Sequence, residues 1–188
     1  MNVLIISSSR EDIDSYYKCV ARDVSKFLAK AGCDLVSGAA SSSMMGICYE
    51  EFVKNNRNVY SFTTKKYIDD LKKLDKSKHY IRETTFDLKK DMFFNSDFVV
   101  CLPGGVGTVS ELLTYIEEKR SNDSDKPIIV YDENNFYGKI IELLKELVNE
   151  GFASEDIFDM FKVIKNPNEF KNEYYKIEYN NLNKGRVK

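Results

Sequence analysis

Short apolar runs alternate along this chain with longer stretches in which apolar residues recur at helical spacing. Asn2–Ser7 reads as a first strand that ends in Ser7-Ser8-Ser9. Asp12–Ala31 then places Tyr17, Val20, Val24, Phe27, Leu28 and Ala31 on one side of an amphipathic helix stopped by Gly32, and Cys33–Ser37 reads as a second strand. Such a strand-helix-strand opening predicts a right-handed parallel sheet. Asn58–Phe62, the brief Tyr80-Ile81, Phe98–Leu102, Pro127–Tyr131 and Phe161–Ile164 supply further strands; the continuous apolar run Phe98–Leu102 is of the kind buried on both faces.

Helices fill the intervals. Gly38–Gly46 leads into one that continues to about Lys54. Thr63–Lys78 is polar and Lys-rich, with Tyr67, Leu71 and Leu74 at helical spacing, and reads as a solvated lid or surface helix. Val109, Leu112, Leu113 and Ile116 form one helix face; the polar loop Ser121–Lys126 follows. Phe136–Glu150 carries the clearest stripe, Tyr137, Ile140, Ile141, Leu144, Leu147 and Val148, with Gly151 as its stop. Pro167–Tyr175 reads as a final helix and Asn180–Lys188 as a polar, frayed tail. The fold class is α/β: a three-layer, doubly wound parallel sheet in a single domain.

Composition narrows the function classes. At 188 residues, 43% hydrophobic and 31% charged, the chain suits one soluble domain able to bury a core without staples. A net charge of −2 with interspersed signs points to neither nucleic acid nor an anionic membrane as partner. Cys19, Cys33, Cys48 and Cys101 form no Cys-x-x-Cys pair and lie in apolar contexts, as small core residues of a reducing compartment do; the only histidine, His79, argues against zinc. With no signal peptide and no 18-residue apolar stretch, a cytoplasmic location is expected. No cofactor or metal is called for.

The chemistry concentrates after the strand Phe98–Leu102. Gly104, Gly105 and Gly107 are free to take positive φ and let a ligand approach the backbone, and the helix that follows begins with unpaired N–H groups and a positive dipole end. A phosphate is expected there, at the carboxyl end of a strand where open α/β sheets bind ligands. A plainer reading makes Thr108 and Glu111 a capping box, although such a box has no need of the glycines.

Pro103-Gly104-Gly105-Val106-Gly107-Thr108-Val109-Ser110-Glu111 resembles the Pro-Gly-Gly-x-Gly-Thr-x-x-Glu signature of the LOG ("lonely guy") family of cytokinin riboside 5'-monophosphate phosphoribohydrolases, often mislabelled lysine decarboxylases. The resemblance implies a Rossmann-like nucleotide-binding domain over residues 1–170, with 171–188 as a polar C-terminal tail. It implies an enzyme that hydrolyses the N-glycosidic bond of AMP or an N6-modified AMP, with Glu111 as catalytic carboxylate. Gly104, Gly105, Val106, Gly107 and Thr108 would hold the phosphate. Ser8 falls in the family's first ligand-facing turn. Gly38, Ser41 and Gly46 match its second loop, in which Ala39, Ala40 and Ser43 replace glycines; a serine-rich strand-to-helix turn is the plainer account.

One departure bears on activity. On the family's Met-His-x-Arg-Lys-x-x-Met helix, Lys89, Met92 and, further on, Asp97 match, but Leu88 falls on the catalytic arginine. Arg82, Lys89 and Lys90 are the cations within reach of that gap, and lysine is a point charge in place of a planar fork. An alternative is therefore a protein of the same fold that binds a nucleotide or phospho-ligand as sensor or carrier without cleaving it. A nucleoside deoxyribosyltransferase is a distant third; lysine decarboxylation is rejected, since the lysines stand in polar helical contexts with nothing resembling a pyridoxal phosphate site. The resemblance also implies a homodimer, with Phe93, Phe94 and Tyr115 as either its apolar patch or ordinary core.

Overall fold

Seven strands, all parallel, form one sheet in a computed structural model of the protein that describes residues 1–121 and 124–184. They are β1 (Asn2–Ile6), β2 (Asp34–Gly38), β3 (Val59–Thr64), β4 (Lys78–Arg82), β5 (Phe98–Cys101), β6 (Ile128–Tyr131) and β7 (Lys162–Ile164). Their order is β4-β3-β2-β1-β5-β6-β7, so the chain winds outward from β1 to one edge, crosses over, and winds from β5 to the other. The turning point of the topology lies between β1 and β5, where Ile6 pairs with Cys101. This is the doubly wound arrangement expected of the sequence.

Alternation along the central strands divides the core. Val3, Ile5, Phe98 and Val100 face helices α1 (Ser15–Lys30), α2 (Ser43–Lys54) and α6 (Pro167–Lys184), meeting Val24, Leu28, Phe52 and Tyr174. Leu4, Ile6, Val99 and Cys101 face α3 (Thr85–Phe94), α4 (Val106–Ser121) and α5 (Gly138–Asn149), meeting Met92, Leu112, Tyr115 and Ile116. Both faces of β1 and β5 are covered, which is why those strands read as unbroken apolar runs. Asp14 caps α1 by accepting from the Tyr16 N–H at 2.8 Å, and Gly32, at φ 90°, turns the chain out of it.

Three elements differ from the sequence expectation. β4 is a five-residue edge strand rather than the pair Tyr80-Ile81, its polar side chains suited to an edge. The Lys-rich segment forms a 3-10 helix, Lys65–Lys73, tied down because Leu71 and Leu74 bury themselves against Ala39. The third is a correction to the polar tail 171–188. Helix α6 runs on to Lys184, and Tyr174 and Ile177 are core residues at 0% and 7% exposure. Asn122 and Asp123 of the expected loop and Gly185–Lys188 of the expected tail lie outside the described residues. Among the described residues no helix is long and apolar enough to cross a membrane.

Ending the chain at Asn166 would expose the surface on which Phe170, Tyr174 and Ile177 rest. At roughly 1.5–3 kcal/mol per buried side chain the loss is about 5 kcal/mol or more. Thermal denaturation should show a melting temperature lower by about 10–20 °C, or no cooperative transition.

Candidate functional site

Three loops meet at the carboxyl ends of β1, β2 and β5. The loop after β5 is seated by Thr108, which is 4% exposed and whose hydroxyl donates to the Ser7 carbonyl at 3.0 Å. A Cβ on Gly104 would run into that threonine side chain, so glycine is required there by close approach. No capping box forms: α4 already begins at Val106, and Thr108 bonds across to β1 instead of to the N–H of Glu111.

Gly105 and Gly107 behave differently from expectation. Among the described glycines, positive φ belongs to Gly32 and Gly151, so the motif glycines are not there to relieve a left-handed backbone. A Cβ on either Gly105 or Gly107 would meet nothing within 4 Å. The protein itself gives no steric reason for glycine at these two positions, and the space above them is open. The N–H groups of Val106, Gly107 and Thr108 stand in the first turn of α4, where no intrahelical acceptor exists, and make no other hydrogen bond among the described residues. Val106, 88% exposed, marks how open this helix end is.

The second loop ends in the N-terminus of α2, and that helix end is already occupied. Glu11 Oε1 accepts from the Ser43 N–H at 3.0 Å, the Met45 N–H donates to the Ser8 carbonyl at 3.3 Å, and the Ser42 hydroxyl donates to the Ser9 carbonyl at 2.9 Å. Glu11, which the motif did not point to, thus acts as a built-in anion on α2 while α4 remains open. Ser8, 7% exposed, accepts from the Arg10 N–H through its hydroxyl at 3.1 Å. Gly46 is required because a Cβ would strike the Ser41 carbonyl, whereas at Gly38 one would lie 3.0 Å from Met45 Cε, the end of a flexible side chain that can move aside. Ser41 therefore contributes backbone packing. Of the glycine replacements, Ala39 points its methyl into the Leu71–Leu74 cluster, and Ser43 keeps a left-handed backbone at φ 51°.

Glu111 lies on the next turn of α4, partly buried, and makes no hydrogen bond or ion pair among the described residues. Desolvation pushes its carboxyl up to about 7, with the Lys89 ammonium pulling the other way. Lys89 is placed by α3 and donates to the Ser110 hydroxyl at 2.7 Å. Of the three cations near the gap, it is the one whose charge acts on Glu111. Arg82 is committed to Asp91 and to the faces of Phe62 and Tyr80, and Lys90 points outward. Leu88 packs against the core beside Met92 and Phe93. A cavity of about 1130 Å³, bordered by Met1, Asp97 and Lys126, opens at the opposite end of the sheet, away from these groups.

A family model described as "Possible lysine decarboxylase" matches residues 45–173. The chain belongs to this family, the LOG family. A relative from Arabidopsis thaliana named cytokinin riboside 5'-monophosphate phosphoribohydrolase is 26% identical over 161 residues, covering 81% of this chain and 71% of its own. One from Oryza sativa subsp. japonica, named a probable enzyme of the same kind, is 26% identical over 159 residues, or 80% and 72% of the two chains. Solved structures of the same fold include the molybdenum cofactor carrier protein of Chlamydomonas reinhardtii, at TM-score 0.69 and 12% identity over 95% of this chain and 98% of that one. The molybdenum cofactor binding protein of Rippkaea orientalis follows at TM-score 0.64 and 14% identity, covering 94% of each chain. At family level the chain is thus related to nucleotide hydrolases, on a fold that carriers also use.

Gly104→Ala and Gly107→Ala separate packing from ligand space. The first should lower stability by about 1–3 kcal/mol, since the new methyl displaces Thr108. The second should raise it by roughly 0.5–1 kcal/mol through helix propensity. Thermal denaturation of the two variants reads both signs.

Proposed function

We propose that the protein hydrolyses the N-glycosidic bond of a nucleoside 5'-monophosphate, AMP or an N6-modified AMP, to free base and ribose 5-phosphate. The observation that carries this reading is the pairing of an open helix N-terminus with a desolvated carboxylate one turn further along the same helix. The phosphate rests on the N–H groups of Val106, Gly107 and Thr108, against the open backbone of Gly105 and Gly107. Glu11 already fills the neighbouring helix end, which favours a ligand with a single phosphate group.

From that anchor, Glu111 stands about 6–8 Å along the helix axis, a span comparable with a ribose and its 5'-methylene. As a carboxylate it faces the anomeric carbon. It stabilises the positive charge that develops as the bond to the base breaks, or takes a proton from the water that replaces the base. The water supplies hydroxyl to C1' and, in balance, a proton to the departing base. Lys89, brought in by α3, keeps Glu111 ionised at lower pH than burial alone would allow.

A second reading is binding without cleavage, as a sensor or carrier of a nucleotide or phospho-ligand. Leu88 favours it: the resemblance gives that position to a catalytic arginine, and here the side chain joins the core. Loss of one such preorganised group lowers rates by about 10²–10³-fold. A homodimer is part of the proposal too. Tyr115 and Phe93 are buried within one chain, but Phe86, Phe94, Val106 and Leu113 leave an apolar surface on α3 and α4, 81%, 55%, 88% and 40% exposed, for a second copy to cover beside the open shelf.

Chromatography of AMP incubated with the purified protein should show adenine, and Glu111→Gln should reduce its release by about 10²–10⁴-fold. Full release by that variant would overturn the hydrolase reading; calorimetric binding of AMP with no adenine at all would establish the carrier reading. Because the carboxyl is raised to about 7 and acts ionised, the rate should fall as pH drops below that value. Lys89→Met, by removing the cation, should move this limb to higher pH.

A further inference from the structure

Around Glu111 the fold gathers four groups from four elements. Lys89 comes from α3, Cys101 from β5, Tyr115 from the next turn of α4, and Tyr137 from the residue preceding α5. The last three would each become an anion on ionisation, and each is held in its neutral form. Burial pushes the Cys101 thiol up to about 12, and the phenols of Tyr115 and Tyr137 upward for the same reason. Neutral, they are hydrogen-bond donors within electrostatic reach of a carboxylate that has no donor of its own among the described residues.

Two of these donors are already engaged. The Tyr137 hydroxyl donates to the Leu102 carbonyl at 2.7 Å and lies 3.2 Å from Cys101 Sγ, and the Cys101 thiol faces the Leu102 carbonyl at 3.8 Å. Tyr115 is not engaged. Its side chain is 0% exposed, its ring is stacked on Phe93 with centroids 5.1 Å apart at 17°, and its hydroxyl has no partner among the described residues. A buried hydroxyl left unpaired is unfavourable by about 1–3 kcal/mol relative to a satisfied one, and Phe at this position would avoid the penalty. Glu111 and Tyr115 stand four residues apart on α4, the spacing that places side chains on the same face of a helix.

We propose that Tyr115 is the positioning residue of the site: its hydroxyl, unpartnered among the described residues, donates to the Glu111 carboxylate once that group is ionised, directly or across one buried water, and so fixes the carboxylate toward the ligand. Lys89 acts on Glu111 from α3, the helix whose Phe93 ring stacks on Tyr115, so a cation and a neutral donor both serve the carboxylate. Tyr115 touches no ligand itself. The role rests on Glu111 being the reacting group, but the hydrogen bond that underlies it does not.

The test begins with the titration of Glu111 in the full chain, followed by ¹³C NMR of its side-chain carboxyl and assigned with Glu111→Gln. In Tyr115→Phe the midpoint should rise by roughly one pH unit, the size of one hydrogen bond to a charged acceptor. The ring and its stacking on Phe93 are retained, so near-ultraviolet circular dichroism should be that of a folded chain. In the unsubstituted protein, the Tyr115 Cζ resonance should follow the same midpoint as Glu111, a readout that needs no variant. An unmoved midpoint, or a Tyr115 resonance indifferent to Glu111, would overturn the proposal.

For base release from AMP, the variant should be about fivefold slower at pH 7, unchanged at pH 9, and unaltered in KM, as a displaced titration requires. A uniform loss across the pH range would mark a structural role instead. A protein that releases no base would end the hydrolase reading, while the NMR titration would still decide for or against the Tyr115–Glu111 bond.

Discussion

The hydrogen bond from the Thr108 hydroxyl to the Ser7 carbonyl is the contact on which the site depends. It ties the first turn of α4 to the end of β1 at the point where the sheet reverses its winding, and it is buried, so water does not compete for either partner. The contact requires Gly104 to have no side chain. With the threonine seated, the helix projects its first N–H groups upward between two loops and places Glu111 one turn in, against the sheet. Everything the site offers to a ligand is backbone or a single side chain on this one helix, with Lys89 brought in from α3.

Electrostatically the site is built by subtraction. The α2 end carries Glu11 on its first N–H, Arg82 is taken by Asp91, and Cys101 and Tyr137 are neutral and mutually bonded. What remains is one open helix end, one carboxylate raised by desolvation to about 7, and one lysine whose charge reaches it. An anion is welcome at the helix end and discouraged beside Glu111, which would orient the proposed phosphorylated ligand by charge before any contact with its base is made. The raised carboxyl also bears on stability. Its folded-state value exceeds the ordinary carboxylate range, so the folded form is favoured at low pH, and that advantage is lost as pH rises through about 7. The site is held at the expense of some stability under the conditions where Glu111 is ionised.

Much of this was legible in the residues. The unbroken apolar runs of β1 and β5 announced a sheet covered on both faces, and the glycine motif located the open helix end. Edge features were harder to read, because β4 has one polar face and packs little, so Tyr80-Ile81 alone stood out. The period that carries α6 onward, Phe170, Tyr174 and Ile177, is present in the sequence but embedded in polar residues that read as a tail. The sequence suggests positive φ at the motif glycines, whereas the backbone needs only Gly104, and for close approach; a left-handed conformation falls instead on Ser43, which stands where the family pattern has a glycine. Glu11 and the unpaired Tyr115 hydroxyl had no signal at all, since each matters through what long-range packing places beside it.

Placement of the ligand phosphate is the claim from which the rest of the account follows. A crystal structure of Glu111→Gln soaked with AMP tests it most directly. The account predicts phosphate oxygens within hydrogen-bond distance of the N–H groups of Val106, Gly107 and Thr108, with the anomeric carbon facing residue 111. AMP bound with its phosphate elsewhere, at the α2 end in place of Glu11 or in the cavity near Asp97 and Lys126, would contradict it.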